Sequence, residues 1–137
     1  MTPTLLGRWE TRTALLATFG LVISLIFLVF DPSGPFIAVL IDVWFFGLLW
    51  DVVYIGLQKF RWDRDWPTCF QILTGFTEGA FIYILSRTTG LPLVHGRIPL
   101  HIFILQYGLI WLTTFLWVQG PMRLVNLHWR FHGGRFV

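Results

Sequence analysis

The sequence predicts an all-α membrane protein whose four transmembrane helices form an antiparallel bundle. Hydrophobic residues make up 55% of the 137-residue chain and charged residues only 12%; an average soluble domain has roughly 25% charged residues. The apolar residues are concentrated in four stretches, each close to the ~20 residues that a helix needs to cross a bilayer. Only helices and closed barrels satisfy the backbone in lipid, and the sequence lacks the alternating ten-residue segments of a barrel.

We predict one domain over residues 1–137, with a basic-aromatic tail at 119–137 and helices at about 13–30, 36–57, 66–85 and 99–118. A turn rich in proline and glycine, at 31–35, separates the first two helices. Pro67 and Pro99 are each predicted in the first turn of a helix, where the missing N–H costs nothing. The first stretch resembles a secretion signal, but Asp31-Pro32 follows it in place of a small-residue cleavage site, so we interpret it as an uncleaved helix.

Lysine and arginine residues predict the orientation, because cytoplasmic loops of membrane proteins are enriched in them. Of the 10 in this chain, about four fifths fall at the N-terminus, between the second and third helices, or in the C-terminal tail. Only Arg87 and Arg97 fall on the opposite side. We therefore expect a multi-pass protein of the cell membrane with both termini in the cytoplasm.

Each predicted helix places one polar residue at about the same depth, near the outer third of the membrane, if the rise is ~1.5 Å per residue. These residues are Ser24, Asp42, Glu78 and Gln106. A charge at the bilayer centre costs at least ~2.5–3.5 kcal/mol, so such residues usually face the bundle interior. One interpretation is a clasp in which Asp42 and Glu78 face each other and at least one is protonated. The others are a proton- or cation-binding site, and an error of register.

Asp51 is predicted to form a second polar site, closer to the cytoplasm. It follows Asp42 by nine residues, which places it half a turn out of phase on the same helix. Gln71 of the third helix is level with it, and Lys59 and Arg61 are within reach if their side chains extend along the helix.

Gly75 and Gly79 form a GxxxG pair in the third helix. Glycines at this spacing allow close approach of a second helix. We predict that they serve packing within the bundle, with self-association of two copies as the alternative.

Two segments on the predicted cytoplasmic side combine arginine with tryptophan. We predict that they contact lipid headgroups or, alternatively, a partner protein; nucleic acid is not expected. The residues concerned are Arg61, Trp62, Arg64, Trp66, Trp129, Arg130 and Arg135.

The sequence favours a protein without cofactors or metals. Its 4 histidines have no arrangement that suits haem or zinc, and its 1 cysteine, Cys69, cannot form an intrachain disulfide. It contains no glycine-rich phosphate loop and no hydrolase or metalloprotease motif.

The segments 61–67 and 129–135 and the third helix around Gly79 resemble small polytopic membrane proteins of bacteria, of actinobacterial type. The resemblance implies a bacterial inner membrane, but no activity and no functional residue. Small proton-coupled drug exporters also have four helices and a membrane glutamate. Their glutamate lies in the first helix, however, and the first predicted helix here has none.

Three functions are therefore open. The first is a non-enzymatic accessory or scaffold subunit of a membrane complex, which uses its basic-aromatic surface. The second is a small proton-coupled carrier that uses Asp42 and Glu78, assisted by Gln106. The third is a membrane enzyme that acts on lipid or isoprenoid substrates.

Overall fold

A computed structural model describes residues 3–137 and shows an all-helical protein with four helices long and apolar enough to cross a membrane. This confirms the predicted fold class; the antiparallel arrangement remains a prediction. The long helices are α1 (Leu5–Phe30), α2 (Phe36–Phe60), α3 (Thr68–Thr88) and α4 (Leu100–Gln119). Two short helices follow, α5 (Pro121–Val125) and α6 (Leu127–Phe131).

Helix α1 begins eight residues earlier than predicted, which places Arg8, Glu10 and Arg12 inside it. Thr4 caps its start, since its hydroxyl accepts a hydrogen bond from the Gly7 amide at 3.1 Å. A π-helical turn at Leu16–Gly20 interrupts it without ending it. The predicted start at residue 13 was wrong because charged residues next to an apolar stretch were treated as flanking sequence. The comparison with drug exporters changes too, because α1 does contain a glutamate.

The other helices lie within a few residues of the predicted bounds. Helix α2 continues to Phe60, and α3 and α4 end at Thr88 and Gln119. Pro67 and Pro99 are the residues that precede α3 and α4 in extended conformation, and not members of the first turn as predicted. Proline suits this position because its fixed φ is compatible with an extended cap.

The connection between α3 and α4 is packed into the bundle. Leu91, Val94 and Ile98 are buried in one cluster with Val39 of α2 and Ile82 of α3. The connection therefore closes the bundle near the start of α2 and brings its own backbone close to polar groups of that helix.

The two ends of the described chain lie together. The Thr4 amide donates to the Gly133 carbonyl at 2.8 Å, and the Phe136 amide donates to the Glu10 carboxylate at 2.8 Å. We call this end of the bundle the termini face. The C-terminal tail is thus folded back on the first turns of α1.

Candidate functional site

An arginine joins three helices through two buried carboxylates. Arg12 of α1 donates from Nε and Nη2 to Asp51 of α2, at 2.8 and 3.0 Å. It donates from Nη1 and Nη2 to Glu78 of α3, at 2.9 and 3.1 Å. The carboxylate side chains are only 3% and 7% exposed. We call Arg12, Asp51 and Glu78 the Arg12 cluster.

A glycine of α2 makes room for the guanidinium. Gly47 lies four residues before Asp51, so both residues are on the same face of the helix. A Cβ at Gly47 would overlap Nη1 of Arg12. Without a side chain there, the arginine lies flat against α2 and reaches both carboxylates at once.

The Arg12 cluster is strongly held together. Bidentate hydrogen bonds between an arginine and a carboxylate are among the strongest in proteins, and Arg12 forms two such pairs. Two carboxylates against one guanidinium leave the cluster with one formal negative charge. Removing Arg12 would leave two buried carboxylates without their cation, which is far more costly than the intact cluster. Removing one carboxylate would leave Arg12 in a neutral pair with the other.

A cavity of about 210 Å³ lies between the Arg12 cluster and the termini face. Arg8, Tyr54, Trp66 and Arg123 line it together with the cluster. The Arg8 guanidinium lies 4.7 Å from the centre of the Trp66 ring and 5.9 Å from that of Tyr54. These distances are typical of cation–π contacts.

Two buried polar atoms of the cavity lining, Nε of Arg8 and Nε of Arg123, have no hydrogen-bond partner among the described residues. The Tyr54 hydroxyl, only 3% exposed, lies beside Glu78 and Thr77. Buried polar groups are rarely left unsatisfied, so the two arginine Nε atoms mark a place where a ligand can supply the missing partner.

The predicted outer polar layer is only partly assembled. Gln106 of α4 donates from Nε2 to the Ser24 hydroxyl at 3.1 Å and to the Phe36 carbonyl at 2.8 Å. Asp42 is also buried and lies beside the backbone of Leu93. Its Oδ2 has no partner within the described part of the chain. Ser24 and Gln106 therefore bridge α1 and α4, while Asp42 faces the connection between α3 and α4.

The predicted facing pair of Asp42 and Glu78 is wrong, because Glu78 is bound to Arg12 beside Asp51. Asp51 follows Asp42 by nine residues, or about 13.5 Å along α2. The predicted end of the third helix at residue 85 places Glu78 near the outer third of the membrane, whereas α3 continues to Thr88 and has Glu78 at its middle.

The predicted partners of Asp51 were also wrong. Gln71 lines the same cavity but accepts a hydrogen bond from Gln119 at 2.8 Å. Arg61 pairs with Asp63 at 2.9 Å, and this hydrogen bond lowers the pKa of the Asp63 carboxyl. The correct cation, Arg12, was missed because it was placed outside the first helix. Thr4, an N-cap residue just before Leu5, was the signal that could have found it.

Gly75 and Gly79 face aromatic rings of α4. A Cβ at Gly75 would overlap the Trp111 indole, and one at Gly79 would approach the Tyr107 ring at 2.7 Å. The Tyr107 hydroxyl donates to the Gly75 carbonyl at 2.8 Å. Within the described chain, these two glycines thus leave the space in which Trp111 and Tyr107 of α4 pack against α3.

Two tryptophans of the predicted basic-aromatic surface are not exposed: Trp129 is buried and Trp66 is half-buried. Trp129 is 2% exposed, and its Nε1 donates to the Thr11 hydroxyl at 2.7 Å. Trp66 packs against Arg8 in the cavity. The interfacial pattern could not separate these rings from Trp62, which is 97% exposed. The other residues of the predicted surface are exposed or partly exposed: Arg61, Arg64, Arg130 and Arg135.

The two aspartates of α2 provide a matched test of this geometry. We expect Asp51→Asn to lower the free energy of unfolding by about 1.5–3 kcal/mol, because it weakens the charge-assisted hydrogen bonds from Arg12 while Arg12 stays paired with Glu78. Asp42→Asn removes no ion pair formed by the described residues and should cost less than about 1 kcal/mol. Unfolding in mixed micelles followed by tryptophan fluorescence measures both. If both variants lose the same free energy of unfolding, Asp51 is not the aspartate of α2 that binds Arg12.

The fold and the buried Arg12 cluster define the class: a helical protein with four helices able to span a membrane, three of which are joined by an internal arginine–carboxylate cluster. Comparisons with protein-family models, curated proteins and solved structures find no match to this chain.

Proposed function

We propose that this chain is a non-enzymatic accessory protein of the cell membrane that binds an anionic ligand in the cavity at its termini face. The observation that supports binding of an anion is the set of residues that line the cavity. It contains three arginines and two carboxylates, with donors left unpartnered among the described residues. The lining arginines are Arg8, Arg12 and Arg123.

Arg8 and Arg123 are the residues that we assign to the ligand. A guanidinium has five N–H donors. Arg8 uses one of them in a long hydrogen bond of 3.4 Å to Gln58, and Nε of Arg123 is unpartnered within residues 3–137. Arg12 has its donors committed to its two carboxylates. An anion with several acceptor oxygens, such as a phosphate group, suits the two remaining arginines best.

The distribution of basic residues supports a cytoplasmic location for this site. The N-terminal segment and the tail carry arginines and lie together at the termini face. By the positive-inside rule this face is the cytoplasmic one. The ligand would then enter from the cytoplasm or from the inner leaflet, beside the exposed Trp62, Arg64 and Arg130.

A proton-coupled carrier based on Asp42 and Glu78 has less support. Both oxygens of Glu78 accept hydrogen bonds from Arg12 and are therefore committed to that ion pair. The two residues also lie at different levels of α2 and α3, so the geometry offers no shared proton site.

The proposal is tested by direct binding of butyl phosphate, a soluble phosphate monoester with a short chain. We expect the purified protein to bind it and not butanol. Arg8→Gln and Arg123→Gln should each weaken binding at least tenfold, because a hydrogen bond to a charged group contributes about 1.5–3 kcal/mol. Calorimetry in a nonionic detergent measures the affinity.

Arg130→Gln is the control, since Arg130 is an exposed arginine of the tail outside the cavity lining. Its affinity for butyl phosphate should equal that of the wild type. Thermal unfolding checks that each variant is folded. Absence of butyl phosphate binding, or an equal loss in Arg130→Gln, would refute the proposal.

A further inference from the structure

A second, apolar cavity of about 370 Å³ lies between α3 and α4. Among the described residues its lining consists of glycine, alanine, aliphatic and aromatic side chains. Gly79, Tyr83, Phe103, Ile104 and Gly108 are members of this lining. We call this cavity the α3–α4 groove. Its size and lining suit a hydrocarbon chain and no charged group.

The α3–α4 groove and the charged cavity meet. Gly75, Tyr107 and Trp111 line both of them. Tyr107 and Trp111 have apolar rings with one polar atom each, and such side chains are common where an apolar and a polar environment join. The two cavities are therefore adjacent, one charged and one apolar, and share a wall where Tyr107 and Trp111 lie against Gly75.

The dimensions fit a molecule of the membrane. Along α4 the groove extends from Leu100 to Trp111, or about 16 Å at the rise of an α-helix. This is close to half of the ~30 Å hydrocarbon core. A molecule with its charged group at the termini face would have its chain directed toward the opposite side, as a lipid of one leaflet does.

We propose that the ligand is an amphiphile with one phosphate group and one hydrocarbon chain. The phosphate lies beside Arg8 and Arg123, and the chain crosses the wall formed by Tyr107 and Trp111 and lies in the α3–α4 groove. This inference rests on the proposed function for its charged end. Its apolar end rests on the groove and can be tested separately.

Gly108 allows the groove to be filled without disturbing the charged cavity. Gly108 lines the α3–α4 groove and not the charged cavity. A Cβ at Gly108 meets no atom of the described residues within 4 Å. Gly108→Leu should therefore occupy the groove while α4 remains intact. Gly56 of α2 is equally open and belongs to neither lining, so Gly56→Leu is the matched control.

The experiment compares butyl phosphate, dodecyl phosphate and dodecanol, with the protein in nanodiscs of phosphatidylcholine and empty nanodiscs as the reference for partition. We expect dodecyl phosphate to bind at least tenfold more tightly than butyl phosphate, and dodecanol to bind much more weakly. Gly108→Leu should reduce the affinity for dodecyl phosphate at least tenfold and leave that for butyl phosphate unchanged. Gly56→Leu should change neither affinity.

Two outcomes would overturn this inference and leave the proposed function intact. The first is equal affinity for the two phosphates in the wild type. The second is an unchanged affinity of Gly108→Leu for dodecyl phosphate, with butyl phosphate still bound. If Gly108→Leu instead abolishes a dimer without changing dodecyl phosphate binding, the groove is a contact between copies and the inference is overturned too. Failure of every phosphate to bind would refute both proposals.

Discussion

Replacing Arg12 by methionine is expected to cause the largest loss of stability of any single substitution in this protein. The change leaves Asp51 and Glu78 as two buried carboxylates without the guanidinium that both of them bind. Breaking a buried ion pair from one side costs about 3–5 kcal/mol. Unfolding in mixed micelles, followed by tryptophan fluorescence, measures the loss. Arg12→Lys should recover only part of it, because one ammonium cannot reproduce two bidentate pairs.

Removing all the charges together provides the decisive control. In the triple variant Arg12→Met, Asp51→Asn, Glu78→Gln no charged member of the cluster remains, and neutral replacement of a buried ion pair is often tolerated. We expect the triple variant to be more stable than Arg12→Met alone, although it carries more substitutions. This non-additivity is what direct contact between the residues predicts. A triple variant that is less stable than the single one would contradict the cluster.

Gly47→Ala is expected to destabilise the protein although it adds only one methyl group. The new methyl group would overlap Nη1 of Arg12 and push the guanidinium away from Asp51 and Glu78. Overpacking of a filled interior costs about 1–3 kcal/mol. The loss should exceed the gain in helix propensity, which is at most about 1 kcal/mol for glycine to alanine. Unfolding in the same micelles measures the difference.

Gly56→Ala tests whether the effect belongs to the position. Gly56 lies on the same helix, and a Cβ there meets no described atom within 4 Å. It should stabilise the protein by up to about 1 kcal/mol through helix propensity alone. If Gly47→Ala is also stabilising, Arg12 does not lie against α2 as described. In the Arg12→Met background the cost of Gly47→Ala should disappear.

The sequence by itself determined the fold class and the four long apolar helices. The scarcity of charge and four apolar stretches of membrane-spanning length leave few alternatives, because an unsatisfied backbone is too costly in lipid. Proline and glycine then placed the helix ends within a few residues, as at Pro67 and Pro99. The largest error was the predicted start of α1, because the helix begins at Leu5, well before the hydrophobic stretch that was used to place it.

The tertiary structure alone decided which polar residues meet. Helical periodicity assigns a side chain to a face, and length gives a rough depth, but neither gives the rotation of one helix against another. Asp42 and Glu78 were predicted to face each other because of their similar depth, but they do not meet. Arg12, which precedes the first predicted helix, instead binds both Asp51 and Glu78. A long guanidinium side chain extends several ångströms from its backbone, so its partners depend on packing that local sequence does not encode.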